Sequence, residues 1–280
     1  MKFRKKINNT KAMKKLLITA LILQCLGISC NFPSNQKGDE YNEQLQGFTI
    51  NQKTALDSIQ FKIYNSFVKC IIDKSVSPLN SIFDNLDNLY GENPNNIILY
   101  WEGYLLYYKA IYFLKINDKS NSEKSIVEGI DILKDMKKKN SEDYALLAML
   151  QSFSVQFSPG IKASFASDKV KRYLRYALDI DPSNLRTNYV CASNDFYTPA
   201  KFGGGKKVEQ YLLKAISLPD QKVISAFLPS WGKEESYAML VRFYIDKENW
   251  GSAKKYYQEG LEIFPESFSI NQYAPKLIGK

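Results

Sequence analysis

The chain has 280 residues, 45% of them hydrophobic, with 38 Lys and Arg against 29 Asp and Glu. That length and composition exclude a disordered chain and allow one sizeable domain or two small ones. The formal charge of +9 would point to an anionic partner if it were spread over the fold, but Lys2, Arg4, Lys5, Lys6, Lys11, Lys14 and Lys15 supply seven of those charges before residue 16. The remainder carries only +2, so a nucleic-acid surface is not expected.

The basic segment runs into LLITALILQCLGIS, residues 16–29, which is uncharged, mostly apolar and too short to span a bilayer. It has the size of a signal-peptide core, and Met13 followed by KKLLITAL would make a more ordinary start than Met1. Gly27 and Ser29 are the small residues a signal peptidase takes, and Cys30 follows directly. GISC resembles the lipobox of bacterial lipoproteins, in which the cysteine becomes the lipidated first residue, although Gly27 stands where that pattern has leucine. The resemblance implies a chain exported to the bacterial cell envelope and anchored through Cys30; cleavage at the same bond without acylation would give a secreted protein. Residues 1–29 are thus read as a signal peptide and residues 30–47, polar and poor in large aliphatics, as a tether.

Cys70 and Cys191 are the remaining thiols, and both sit in apolar helical patterns where buried free cysteines are expected. A disulfide between them is the alternative in an oxidising compartment. The chain has no histidine, which excludes Ser-His-Asp and Cys-His nucleophiles and His-containing zinc sites. No two acids are marked as a glycosidase-like pair, and no cofactor or metal is expected.

From residue 48 onward apolar residues recur at helical spacing, with Pro, Gly and Asn clusters between segments. The spacing predicts an all-α protein with helices over 52–74, 78–90, 95–116, 122–137, 141–157, 167–180, 182–196, 205–218, 233–247 and 249–263. In the last pair, Tyr237, Leu240 and Tyr244, then Ala253, Tyr257, Gly260 and Pro265, fall at the spacing W-x2-L-G-x2-Y followed by A-x3-F-x2-A and proline. This resembles a tetratricopeptide repeat over residues 234–267, with Val241 where Gly or Ala is usual.

The second-helix pattern returns as Ser122, Ile126 and Gly129, as Val170, Leu174, Ala177 and Pro182, and as Val208, Leu212, Ala215 and Pro219. Trp101, Tyr104 and Tyr108 are matched to the first-helix positions of the earliest pair. The resemblance implies an α-solenoid of antiparallel helix pairs over residues 48–267, capped by residues 48–92 and followed by a tail, 268–280. KINDKSN, SPGIKASFASD and TPAKFGGG are insertions between the two helices of a pair. Residues 179–219 further resemble a group of secreted bacterial tetratricopeptide-like proteins with a Tyr-x-Pro turn and an FGGG-type loop.

First helices line the concave face in that family. The resemblance therefore places Glu235, Ala238, Arg242 and Asp246, with Glu102, Lys109, Arg186 and Asn194, toward a groove that holds a partner protein or peptide without catalysis. A small-ligand or transport-accessory role, using an aromatic pocket near residues 95–113, is the other reading; Tyr100 and Tyr107 are the aromatics there that core packing leaves over. DFYTPAKFGGGKK, residues 195–207, fails as a nucleotide loop: a helix precedes it, and Lys207 is followed by Val208 rather than Ser or Thr. Its glycines are expected to reverse the chain. Lys206 and Lys207 would open the next helix against its dipole, and with Lys162 and Lys201 they form a candidate rim for an anionic partner.

Overall fold

The computed structural model describes residues 48–220 and 227–280, and every regular element among them is helical. The helices are α1 (Ile50–Leu56), α2 (Ile59–Asp73), α3 (Ser77–Glu92), α4 (Asn96–Lys115), α5 (Lys119–Asp135), α6 (Ser141–Ser154), α7 (Ile161–Ile180), α8 (Leu185–Tyr197), α9 (Val208–Ser217), α10 (Lys233–Asp246), α11 (Trp250–Ile263), α12 (Phe268–Asn271) and α13 (Ala274–Leu277). Local chemistry sets their starts. Side-chain oxygens of Thr49, Asn95, Asp118, Asn140, Asn184, Asn249 and Ser267 each accept from a first-turn N–H that has no partner within the helix. The segment expected as one helix over 52–74 is two, because Ser58 takes a left-handed conformation (φ +55°) between them.

Consecutive helices pair as α4 with α5, α6 with α7, α8 with α9 and α10 with α11. First helices also pack on one another in series, α4 on α6, α6 on α8 and α8 on α10, and each second helix meets the first helix of the next pair. First helices are therefore on the inside of the stack, and the protein is an α-solenoid of antiparallel helix pairs. Their burial agrees: α4 buries eleven of its twenty residues on nearly every side, whereas α7 buries only Ala166, Val170, Leu174 and Ala177, one stripe at helical spacing. The repeated second-helix positions all fall on such stripes, with Ser122, Ile126, Val170, Ala177, Leu212, Ala215 and Ala253 almost wholly excluded from solvent.

The expected phase of α4 needs correction. In the last pair a Cβ on Gly260 would stand 3.1 Å from Tyr237 Cβ, and in the first pair a Cβ on Gly129 would stand 3.2 Å from Leu106 Cβ. Gly129 and Gly260 hold the same repeat position, so Leu106, not Trp101 or Tyr104, is the counterpart of Tyr237. The Ser122 hydroxyl, which donates to the Ala110 carbonyl at 2.8 Å, fixes the same alignment one turn on. The shift from Trp101, which stands at the place of Tyr237 in the expected alignment, is five residues, or about 140° around a helix, which carries the expected inner positions out of the groove.

Residues 268–280, expected as a tail, form α12 and α13 and close the stack: Ile270 is fully buried beside Gly260 and Tyr237, and Leu277 packs into the last core cluster. Gly47–Lys280 is one compact unit. Cys70 and Cys191 are buried free thiols, and burial pushes the Cys191 thiol up to about 12. The signal-like run, Cys30 and the tether lie outside the described residues.

Candidate functional site

The inner face of the solenoid is divided by a stretch of the chain itself. Between α9 and α10 the residues 227–232 cross the starts of the inner helices, bonded to three of them. The Trp101 indole donates to the Phe227 carbonyl at 3.0 Å, and the Ser230 N–H donates to the Gln60 side chain of α2 at 2.8 Å. The Trp231 indole donates to the Tyr100 hydroxyl at 2.8 Å, while the Arg186 guanidinium donates to the Trp231 carbonyl at 3.1 Å. Leu228 and Trp231 are buried. The Trp231 ring stacks on Tyr104 (6.1 Å between centroids, 23°) and stands edge-on to Tyr189 (6.1 Å, 79°), so one side chain joins α4 to α8.

Beneath this strap lies a buried ion pair. Arg186 Nε donates to Glu142 Oε2 at 2.6 Å, Asn184 donates to Glu142 Oε1 at 2.6 Å, and Asp220 stands 3.8 Å from Arg186. Arg186 is 1% exposed and Glu142 2%. Burial disfavours the Arg186 cation, but the Glu142 carboxylate outweighs it and holds the guanidinium above its usual range. Arg186 and Glu142 hold the strap in place out of reach of solvent.

Toward the other ends of the first helices the inner face stays open. Tyr107 packs edge-on against Phe153 (5.4 Å), and Tyr108 joins Tyr104 (5.1 Å) to Phe67 (5.1 Å) and Tyr64 (6.2 Å) on α2. Arg242 lies over Phe196 (4.9 Å) and Tyr197 (5.6 Å) and donates to the Tyr197 hydroxyl at 3.2 Å. Glu235 accepts from the Gly232 N–H at 2.7 Å, fixing the start of α10, and its charge falls on several of these tyrosines. Burial, then Glu235 and Tyr197, push the Tyr107 phenol up to about 12. Burial also raises the Glu235 carboxyl, though the Gly232 N–H draws it down.

The lining continues along α2. That helix buries Ile59, Ile63 and Cys70 on one face, and on the opposite face it exposes Phe61, Tyr64, Val68 and Ile71, with Ile72 beside them. The 3-4-3 spacing of the first four makes a straight apolar seam about three turns long.

Of the expected groove residues, Arg186, Glu235, Arg242 and Asp246 are on the inner face, although Arg186 is buried under the strap. Ala238 is 8% exposed and belongs to the core. Asn194 is half-buried at the edge, its carbonyl accepting from Thr198. Glu102 and Lys109 are on the outer side, as the five-residue shift requires. Lys109 lies over Phe83, 5.8 Å from the ring centre, and lines a cleft of about 800 Å³ with Asn80 and Glu128. The inner positions of α4 belong instead to Tyr100, Tyr104 and Tyr107. Tyr100, expected to be left over, is 1% exposed because Trp231 covers it.

Glu102 has its own consequence for stability. It is 3% exposed, its Oε1 has no hydrogen-bond partner, and burial with Asp87 and Glu128 nearby pushes it from 4.5 up to about 7. Between those values the folded chain keeps a proton that the unfolded chain has lost. This contribution is present in full below pH 4.5, declines as pH rises and is gone above 7. Burial raises Asp143 to about 7 in the same direction. The urea midpoint will therefore be higher at pH 5.5 than at pH 8, and Glu102→Gln will raise the unfolding free energy from such titrations at pH 8 by ~1–3 kcal/mol while changing it little at pH 5.

The glycine-rich segment is a turn, as expected. Gly203 and Gly205 have φ of +90° and +82°, and a Cβ on Gly204 would stand 1.9 Å from the Thr198 carbonyl oxygen. Lys206 and Lys207 precede the helix instead of opening it: α9 begins at Val208, and the Lys207 N–H donates to the Asp195 carboxylate at 2.6 Å. The chain thus supplies its own anion at that helix start. Lys201, Lys206 and Lys207 are exposed, as is Lys162.

No known protein-family profile matches the chain, and no curated protein matches it in sequence. Among solved structures, the crystal structure of TTC0263, a thermophilic TPR protein of Thermus thermophilus, is similar, at 14% identity and a TM-score of 0.48, over 77% of this chain and 99% of that one. The assignment to helix-pair solenoids rests on the packing described above.

Proposed function

We propose that the protein is an exported, envelope-anchored helical-repeat module that holds a partner protein by taking an amphipathic helix of it along the inner face. The observation that carries this reading is the exposed seam Phe61, Tyr64, Val68 and Ile71, which runs into the half-open aromatic lining around Tyr107, Tyr108, Tyr189 and Tyr197. A face of this length and spacing suits a helix laid in a groove, and rigid tyrosines give contact area at low entropic cost. Arg242, half-buried on the open part of this face, supplies a positive charge for orientation. The ionisable groups of this face are spent on internal contacts, Arg186 on Glu142 and Glu235 on Gly232, which supports binding rather than catalysis. The anchor is the one implied by GISC at Cys30.

The test is panning of displayed 18-residue helical peptides on the immobilised protein. Enriched sequences should repeat apolar residues at three- and four-residue spacing, and Val68→Asp and Tyr189→Ala should each weaken their binding at least tenfold. Absence of enrichment, or binders indifferent to both substitutions, would sink the proposal. A sugar or metabolite that raises the melting temperature of the wild type but not of Tyr189→Ala would replace the helix with a small ligand. Intact mass of the protein from its native host tests the anchor, since a mature chain starting at Cys30 without added acyl mass removes it.

A further inference from the structure

Each connection from a first to a second helix leaves the same edge of the stack, because α4, α6, α8 and α10 run side by side in one direction. The three connections in the middle of the molecule share a composition. Between α4 and α5, Ile116 is exposed between Lys115 and Lys119; at the start of α7, Ile161 and Phe165 are exposed on either side of Lys162. Between α8 and α9, Tyr197 and Phe202 are exposed with Lys201, Lys206 and Lys207, and the Lys201 ammonium lies 5.0 Å from the centre of the Phe202 ring. Phe202 is 70% exposed and Ile161 73%.

The acids of these connections are already engaged. Asp118 accepts from the N–H and the side chain of Asn121, Asp168 pairs with Lys171 at 3.6 Å, and Asp195 accepts from the Lys207 N–H. Asp118 and Asp195 remain negative, but against Lys115, Lys119, Lys162, Lys201, Lys206 and Lys207 they leave the edge net positive, so it offers apolar tips among an excess of ammonium groups. We propose that this edge rests on an anionic lipid bilayer, with Ile161, Phe165 and Phe202 entering the headgroup layer and the lysines at the phosphates. Aromatic and aliphatic tips beside flexible cations suit an interface that is apolar below and anionic at its surface. Among the described residues no helix is long and apolar enough to cross a membrane, so the contact is superficial.

The chain outside the described residues permits this orientation. From Cys30 to Phe48 is 18 residues, a reach of about 60 Å when extended. A first helix of 20 residues is about 30 Å long, so an anchor at Cys30 reaches the bilayer whichever edge faces it. The proposal rests on the envelope placement given above but not on the occupant of the groove.

The test uses the full chain with Phe202→Trp or Ile161→Trp, mixed with vesicles of phosphatidylglycerol and a phosphatidylcholine carrying bromine on its acyl chains. Trp101 and Trp231 are buried, and the half-buried Trp250 at the start of α11 is replaced by Phe in every variant so that the background is constant. The added tryptophans should lose at least half of their emission, whereas Ser183→Trp and Lys138→Trp, on the opposite edge, should lose none. Adding Lys206→Glu and Lys207→Glu to Phe202→Trp should reduce its quenching severalfold, as should 0.5 M salt. Equal quenching at both edges, or none at 161 and 202, overturns the proposal and leaves this edge to a protein partner. Both results are independent of whether peptides bind the inner face.

Discussion

Arg186→Ala will lower the stability of the folded chain by ~3–5 kcal/mol, because Glu142 remains buried with its cation removed. For a domain of this size that is a fall in melting temperature of roughly 6–20 °C. Calorimetry or urea titration checks it, and the control is the double replacement Glu142→Leu with Arg186→Met. Removing both charges together eliminates the uncompensated carboxylate, so the double variant should recover most of the loss. A single variant as stable as the wild type would show that the pair does not hold the strap. The substitution also removes the bond to the Trp231 carbonyl, so the near-ultraviolet circular dichroism of Trp231 should change with it.

Trp231→Ala is expected to cost ~3–5 kcal/mol, since it empties the site between Tyr104 and Tyr189 and leaves the Tyr100 hydroxyl without its donor. Trp231→Phe keeps a ring there and loses only the indole N–H, so its cost should be ~1–2 kcal/mol. The order wild type, Phe, Ala is the diagnostic. Equal losses for Phe and Ala would mean that the single hydrogen bond, and not the packing, fixes the strap. Panned peptides should still bind Trp231→Phe, because the open half of the inner face is built from other side chains.

Helix positions were legible where local chemistry is unambiguous: a capping Asn, Asp or Thr followed by an apolar stripe, as at Asn95, Asp118 and Asn140. Second helices were legible in phase as well, since one buried stripe per helix leaves a single solution, as with Val170, Leu174 and Ala177. Helix α4 was not. Aromatics at 100, 101, 104, 107, 108, 112 and 113 satisfy more than one phase, and a helix buried on nearly all sides carries little amphipathic signal. The small residues carried the information instead, because Gly103, Ala110, Ser122 and Gly129 mark where the two backbones approach. Reading Glu102 and Lys109 as groove residues followed from missing that.

The strap was harder to find. Residues 218–232 have no period, and Ser230 and Trp231 are held by partners as distant in sequence as Gln60 and Tyr100. Two signals were present: fifteen residues without a helical pattern between tightly spaced pairs, longer than such connections usually run, and a tryptophan within them. The buried pair Glu142–Arg186 was invisible for a similar reason. Either residue alone reads as a helix-surface charge, and only the stacking of α6 on α8 brings them together.

Solenoids ordinarily behave as chains of neighbours, in which each pair senses only the next and ends fray independently of the middle. The bond from Ser230 to Gln60 breaks that rule, because it ties the second residue of α2 to the entry of α10, 170 positions away. Loss of the first helices therefore removes support from the last pair directly, without passing through the pairs between. The expected behaviour is a single sharp unfolding transition, slow to refold for its helical content because closure of so long a loop must precede the final docking.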